Sequence, residues 1–71
     1  MILYYAIRNK RTMQYISGTD FNYSPPRQIK ASALRPPKLL TGAELNFEIK
    51  HRQINLKYYE IVTVRIKEIE A

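Results

Sequence analysis

The chain has 71 residues, no cysteine and a formal net charge of +6. That length holds one small domain with a thin core, and without cysteine neither a disulfide nor a thiolate metal site can brace it. A hydrophobic content of 45%, including six tyrosines and two phenylalanines, is too high for a disordered chain, while no run approaches the roughly eighteen apolar residues of a membrane span.

"ILYYAIR" (2–8) is β-branched and aromatic, which predicts a partly buried strand. The "MILYYAIR" start lacks a basic n-region and a small-residue cleavage site, so it reads as that strand and not as a signal peptide. "NKRTM" then makes a polar turn and "QYISG" (14–18) a second strand, closing a hairpin that ends at Gly18-Thr19-Asp20. Residues 21–38 show neither a strand nor a helix period. They hold all four prolines as two pairs, Pro25-Pro26 and Pro36-Pro37, each followed by a cation. Each pair fixes φ and removes backbone donors, which favours extended backbone. Eighteen residues is long for a connection in a small domain. With Phe21, Tyr23, Ile29 and Leu34 as apolar anchors, it is expected to lie as a strap across the domain, with one helical turn in "QIKASAL".

"TGAELNFEIKHRQI" (41–54) carries a capping box, Thr41 with Glu44 three residues on, and places Leu45 and Ile49 on one helical face. Ala43, Leu45, Phe47 and Ile49 also alternate with polar residues, which fits a strand; the capping box decides for the helix, with Asn55 as its stop. "YYEIVTVRIKEI" (58–69) is the clearest strand, long enough to be the central or the longest one, with Val62, Val64 and Ile66 on one face. The expected fold is therefore α+β. It is a single domain over 1–71, order ββαβ, with a three-stranded antiparallel sheet, one helix packed on it and a long Pro-rich strap.

Reactive chemistry is missing. The single histidine, His51, lies between Lys50 and Arg52 with no Asp or Cys beside it in sequence to orient the ring. Two cations disfavour its protonation, so it reads as a surface or half-buried residue and not as a base. There is no Cys/His cluster for zinc, and Gly18 and Gly42 are too far apart to form a phosphate-cradling loop. The chain is expected to be no enzyme and to need no cofactor or metal. Prolines at 25, 26, 36 and 37 also fail to supply P-x-x-P, which sets aside a role as an SH3 ligand.

The charge is lopsided. Residues 1–38 carry seven cations against Asp20 alone, and residues 39–71 carry five charges of each sign. The basic half points to an anionic macromolecule. The candidate binding residues are Arg8, Lys10 and Arg11 on the hairpin turn, and Arg27, Lys30, Arg35 and Lys38 on the strap, with Tyr23 as an aromatic anchor. A protein with an acidic surface is the expected partner, because stiff backbone lowers the entropy cost of binding and Tyr and Arg are enriched at hot spots. The alternative is single-stranded nucleic acid, gripped by the same cations and by exposed tyrosines. If only one face of the sheet is covered, at least one ring of each adjacent pair, Tyr4-Tyr5 and Tyr58-Tyr59, is expected to be exposed. If the last strand lies at an edge, a second copy is expected to be able to pair there.

"YYAIRNKRTMQYISGTDF", "SPPRQI" and "LTGAELNFEIKHRQINLKYYEIVTV" together resemble a group of small uncharacterised proteins encoded by phages, prophages and mobile elements of Gram-positive bacteria. The resemblance covers roughly residues 4–67. It implies a short accessory protein in the host cytoplasm that binds and redirects a host or phage protein, such as a defence or nucleic-acid-handling complex. It transfers no active site. It also implies a glycine in the first hairpin turn, where this chain has Met13.

Overall fold

The computed structural model describes residues 2–66. In chain order these form β1 (Ile2–Asn9), β2 (Ile16–Asp20), β3 (Arg27–Lys30), the helix α1 (Gly42–His51) and β4 (Tyr59–Ile66). The α+β class holds, but the strands form two two-stranded antiparallel sheets, β1 with β4 and β2 with β3, instead of one three-stranded sheet. β1 and β2 meet only through a bridge between Arg8 and Tyr15 and the bond from the Asn9 N–H to the Gln14 carbonyl (2.8 Å).

Three short-range causes explain the difference. First, Gly18 is not a turn: β2 runs through it to Asp20 with a register shift between Ile16 and Gly18, which bends β2 away from β1. Second, the turn falls at residues 21–24, where the Asp20 carboxylate accepts the Asn22 N–H at 3.0 Å. Third, the chain returns as β3, which takes β2's other edge. Gln28–Lys30 is therefore strand, and the helical turn expected in "QIKASAL" does not form.

The strap is tied down at its far end. Ala31 donates to the Tyr15 carbonyl (2.7 Å) and Lys38 to the Ile16 carbonyl (3.0 Å). Leu40 exchanges two backbone bonds of 2.8 Å with Tyr5, and so covers the edge of β1 that β4 leaves open. Its anchor is Leu40, only 2% exposed, and not Leu34, which is 94% exposed. Ile29 is half-buried; Phe21 and Tyr23 are exposed.

Those two Tyr5–Leu40 bonds also fix the ladder. The odd-numbered residues of β1 turn their backbone groups away from β4, so the even-numbered residues bond across it, Ala6 with Val62 and Tyr4 with Val64. In β4 the odd residues Ile61, Thr63 and Arg65 then aim their N–H and C=O groups outward, where no strand lies among the described residues. β4 is thus an edge strand, not the central one; positions 67–69 of the expected strand lie outside the described residues.

The core is small. Ile7, Ile16, Leu40 and Ile54 pack together with Leu45, Ile49 and Tyr59 partly buried against them, and Ala6 is 1% exposed. α1 supplies Leu45 and Ile49, four residues apart on one face. The capping box forms as expected: Glu44 donates its N–H to the Thr41 hydroxyl (3.3 Å), and the Thr41 N–H donates to the Glu44 carboxylate (3.0 Å). At the other end the stop is not Asn55. Gln53 adopts φ 51°, its N–H bonds to the Lys50 carbonyl (3.2 Å), and Ile54 bonds back to Ile49 (3.0 Å). This Schellman arrangement drops Ile54 into the core beside Ile49. Met13, in the first hairpin loop, has φ 61°, the left-handed conformation that glycine adopts without strain.

The capping box sets a pH dependence. Hydrogen bonds from the Thr41 backbone and then its side chain hold the Glu44 carboxyl below its ordinary pKa. A depressed folded pKa means that the stabilisation is present above the unfolded value, about 4.3, and is lost as pH falls through the folded one. Glu44→Gln keeps a side-chain carbonyl at the same place but removes the charge. The melting-temperature gap between wild type and this variant should therefore shrink as pH is lowered from 7 to 3. A gap that stays constant would mean that the charge contributes nothing.

Candidate binding surfaces

The eight expected binding residues do not form one patch; the fold sorts them. Arg8 lies on β1, not on the turn. It is half-buried, its guanidinium bonds Glu60 (2.8 Å) across the ladder and sits 5.8 Å from the Tyr15 ring. Glu60 raises the Arg8 pKa further, so this charge is already answered inside the fold.

Lys10 and Arg11 line one cleft and Tyr23 and Arg27 another, and the two adjoin at Tyr58 and Tyr59. The Asn9 carboxamide oxygen accepts the N–H groups of Arg11 (2.9 Å) and Thr12 (3.1 Å), which lifts Lys10 and Arg11 to the tip of the loop. A second loop faces them. The Asn55 side-chain oxygen accepts the Lys57 N–H (2.9 Å) and its carbonyl accepts from Tyr58 (3.0 Å) and Tyr59 (3.1 Å). This turn sends Tyr59 towards the core and leaves Tyr58 56% exposed. The two loops are joined from the Lys10 backbone N–H to the Tyr58 carbonyl (2.9 Å) and from the Lys10 ammonium to the Leu56 carbonyl (3.0 Å).

Two open clefts share the Tyr58-Tyr59 pair. One, of about 620 Å³, is lined by Lys10, Arg11 and Lys57 on one side of it. The other, of about 710 Å³, runs along Tyr23, Pro25-Pro26 and Arg27 to Gln53 and Asn55. The Arg27 guanidinium carbon lies 4.6 Å from the Tyr23 ring centroid, and the Lys57 ammonium lies 5.7 Å from that of Tyr58. In each case a cation is held against an aromatic face. Among the described residues, Asp20 is the one acid lining either cleft. Gln28 stands at the floor but is occupied: it accepts from Thr19 (2.7 Å) and donates to the Arg52 carbonyl (2.8 Å). Lys30 lines neither cleft; it is exposed in a smaller hollow of about 200 Å³ that reaches Gln14 and Tyr15 and shares Asn9, Arg11 and Tyr59 with the cleft of Lys10 and Lys57.

Arg35 and Lys38 belong to a different surface. They rim a shallow depression with Pro36, Phe21 and Arg52. Ser32 and Arg35 exchange backbone bonds, and the Ser32 hydroxyl accepts the Arg35 N–H (3.2 Å), which holds the loop while the Arg35 side chain stays exposed. Arg52 is half-buried and ion-paired with Glu48 one turn back. The depression opens onto an aromatic stack. Phe21 lies 5.0 Å from His51, and His51 stacks on Phe47 at 5.4 Å and 11°. All three are exposed, Phe47 at 65%. His51 is thus a surface residue, as expected. Phe47 was not singled out from the sequence; its i, i+4 spacing to His51 was the available signal.

Of the tyrosine pairs, Tyr58-Tyr59 divides as expected, while Tyr4 and Tyr5 are both half-buried. Among the described residues there is no cluster of three metal-ligating side chains and no helix long and apolar enough to cross a membrane. The chain matches no protein-family model, and neither curated proteins nor solved structures give a match.

Proposed function

We propose that this chain is a non-enzymatic accessory protein, of the phage or mobile-element kind its sequence resembles, that docks onto a partner protein with an acidic surface. The observation that carries the reading is the Phe21–His51–Phe47 stack exposed beside Arg35 and Lys38. Hot spots combine aromatic anchors with cations that choose the partner by charge. Among the described residues five hydrophobics are buried, a small core, while Phe47 and Phe21 spend 65% and 50% of their surface on solvent. Exposed aromatics on so small a domain suit an interface better than they suit free solution. The partner belongs to the class of host or phage complexes that handle nucleic acid or defend the cell, whose proteins commonly present acidic faces. The outward groups of Ile61, Thr63 and Arg65 are where a second copy would add a strand.

The test is capture of host-lysate proteins on immobilised wild type, on Arg35→Glu/Lys38→Glu and on Phe47→Ser. Both variants change exposed side chains, so circular-dichroism melts should match wild type within a few degrees. The expected result is one acidic partner whose retention falls at least about tenfold in each variant. A partner retained equally by all three proteins would remove this surface from the function.

A further inference from the structure

We infer that the groove around Tyr58 is a second, separate binding site, built for single-stranded nucleic acid with its bases unpaired. The two surfaces share Ile29 alone, and none of the groove's cations or aromatic rings lines the Arg35–Lys38 depression, so it stands or falls independently of the proposed protein docking.

Single strands are gripped by two kinds of group in alternation: cations for the phosphates and flat rings for the bases. The groove supplies both in sequence. Lys10, Arg11 and Lys57 gather at one end, the Tyr58 ring rises in the middle, and Tyr23 with Arg27 lies at the other end. Tyr58 and Tyr23 are 56% and 49% exposed, and each ring already has a cation against it, at 5.7 and 4.6 Å. A base arriving on the open face would complete a sandwich, cation on one side and base on the other. The position of the rings follows from the fold: the Asn55 turn points Tyr58 out while Tyr59 holds the turn to the core.

Duplexes suit the groove poorly. Their bases are stacked on one another and offer no face to Tyr58, and no residue of α1 lines either cleft to enter a groove of duplex DNA. An acidic peptide would satisfy the cations but leave the tyrosines idle. The exposed side chains of Gln53 and Asn55 add amide groups at the cleft wall, within reach of base edges once a base is stacked.

The experiment compares binding of three labelled probes by fluorescence anisotropy over a salt series: a twelve-nucleotide oligothymidine, an abasic deoxyribose-phosphate chain of the same length, and a duplex. Oligothymidine should bind about tenfold or more tightly than the abasic chain, because stacking adds to the phosphate attraction. With three or four phosphates neutralised, log K should fall with log salt at a slope between about −2 and −3. Tyr58→Ala should abolish the preference over the abasic chain, whereas Tyr58→Phe should keep it. Equal affinity for oligothymidine and the abasic chain would overturn the stacking site, and so would equal affinity for single strand and duplex. Binding to none of the probes would overturn it as well, and none of these results touches the protein-capture experiment.

Discussion

Leu40→Ala should unfold a large part of the protein at room temperature, while Leu34→Ala, six residues earlier in the strap that leads to it, should leave stability within about 0.5 kcal/mol. Leu40 is 2% exposed and sits in the cluster of Ile7, Ile16 and Ile54. Truncating such a leucine costs about 2–5 kcal/mol, part transfer and part cavity. A core of this size supplies only about 3–5 kcal/mol of net stability. The substitution therefore consumes most of it. Leu34, at 94% exposure, has nothing to lose. Urea melts followed by circular dichroism decide the matter. If Leu40→Ala melted within about 0.5 kcal/mol of wild type, the strap would not be part of the core at all.

Proline in β4 should discriminate between neighbouring positions. At Val62 it should break the ribbon, and at Thr63 it should be borne. Val62 turns its backbone N–H to Ala6, which is 1% exposed, so proline there deletes a ladder bond and leaves a buried carbonyl unpaired, at about 1–3 kcal/mol before any steric clash. The Thr63 N–H points off the open edge, the one place where a strand accepts proline. Both variants carry the same cost of a fixed φ, so the difference in melting temperature isolates the ladder bond. Equal destabilisation, or the reverse order, would show that the ladder is registered the other way.

How much of this was legible in the sequence depended on the range of the interaction. The helix could be read because Thr41 and Glu44 act across three residues, and that local signal correctly outweighed the alternation of Ala43, Leu45, Phe47 and Ile49. β1 and the existence of β4 could be read from β-branched runs. β3 could not: it is four residues long, "RQIK", with Ile29 its one apolar residue and a proline pair before it, and it exists because β2's edge lies beside it. Leu34 and Leu40 are indistinguishable by type; only the two backbone bonds to Tyr5 make one of them core. The binding residues were found as types and missed as sets. Seven cations in the first half looked like one surface. The fold spends Arg8 on Glu60, sends Lys10, Arg11 and Arg27 to the tyrosines, and leaves Arg35 and Lys38 with Phe21. Lys57, from the neutral half, joins the first group because the Asn55 turn faces the hairpin loop.

The β1–β4 ribbon has one further consequence, for the way the molecule travels. Its Asn9–Tyr59 end abuts the cationic groove, and its Ile2–Ile66 end lies seven residues away, in a particle measuring 47 × 27 × 22 Å. With Lys10, Arg11 and Lys57 gathered beside the first of these ends, the uneven charge gives the body an electric moment. In the field of a polyanion such a body feels a torque as well as a pull, so it swings its groove forward before it touches. Encounters then become productive more often than random tumbling allows, with an advantage that fades as ionic strength rises.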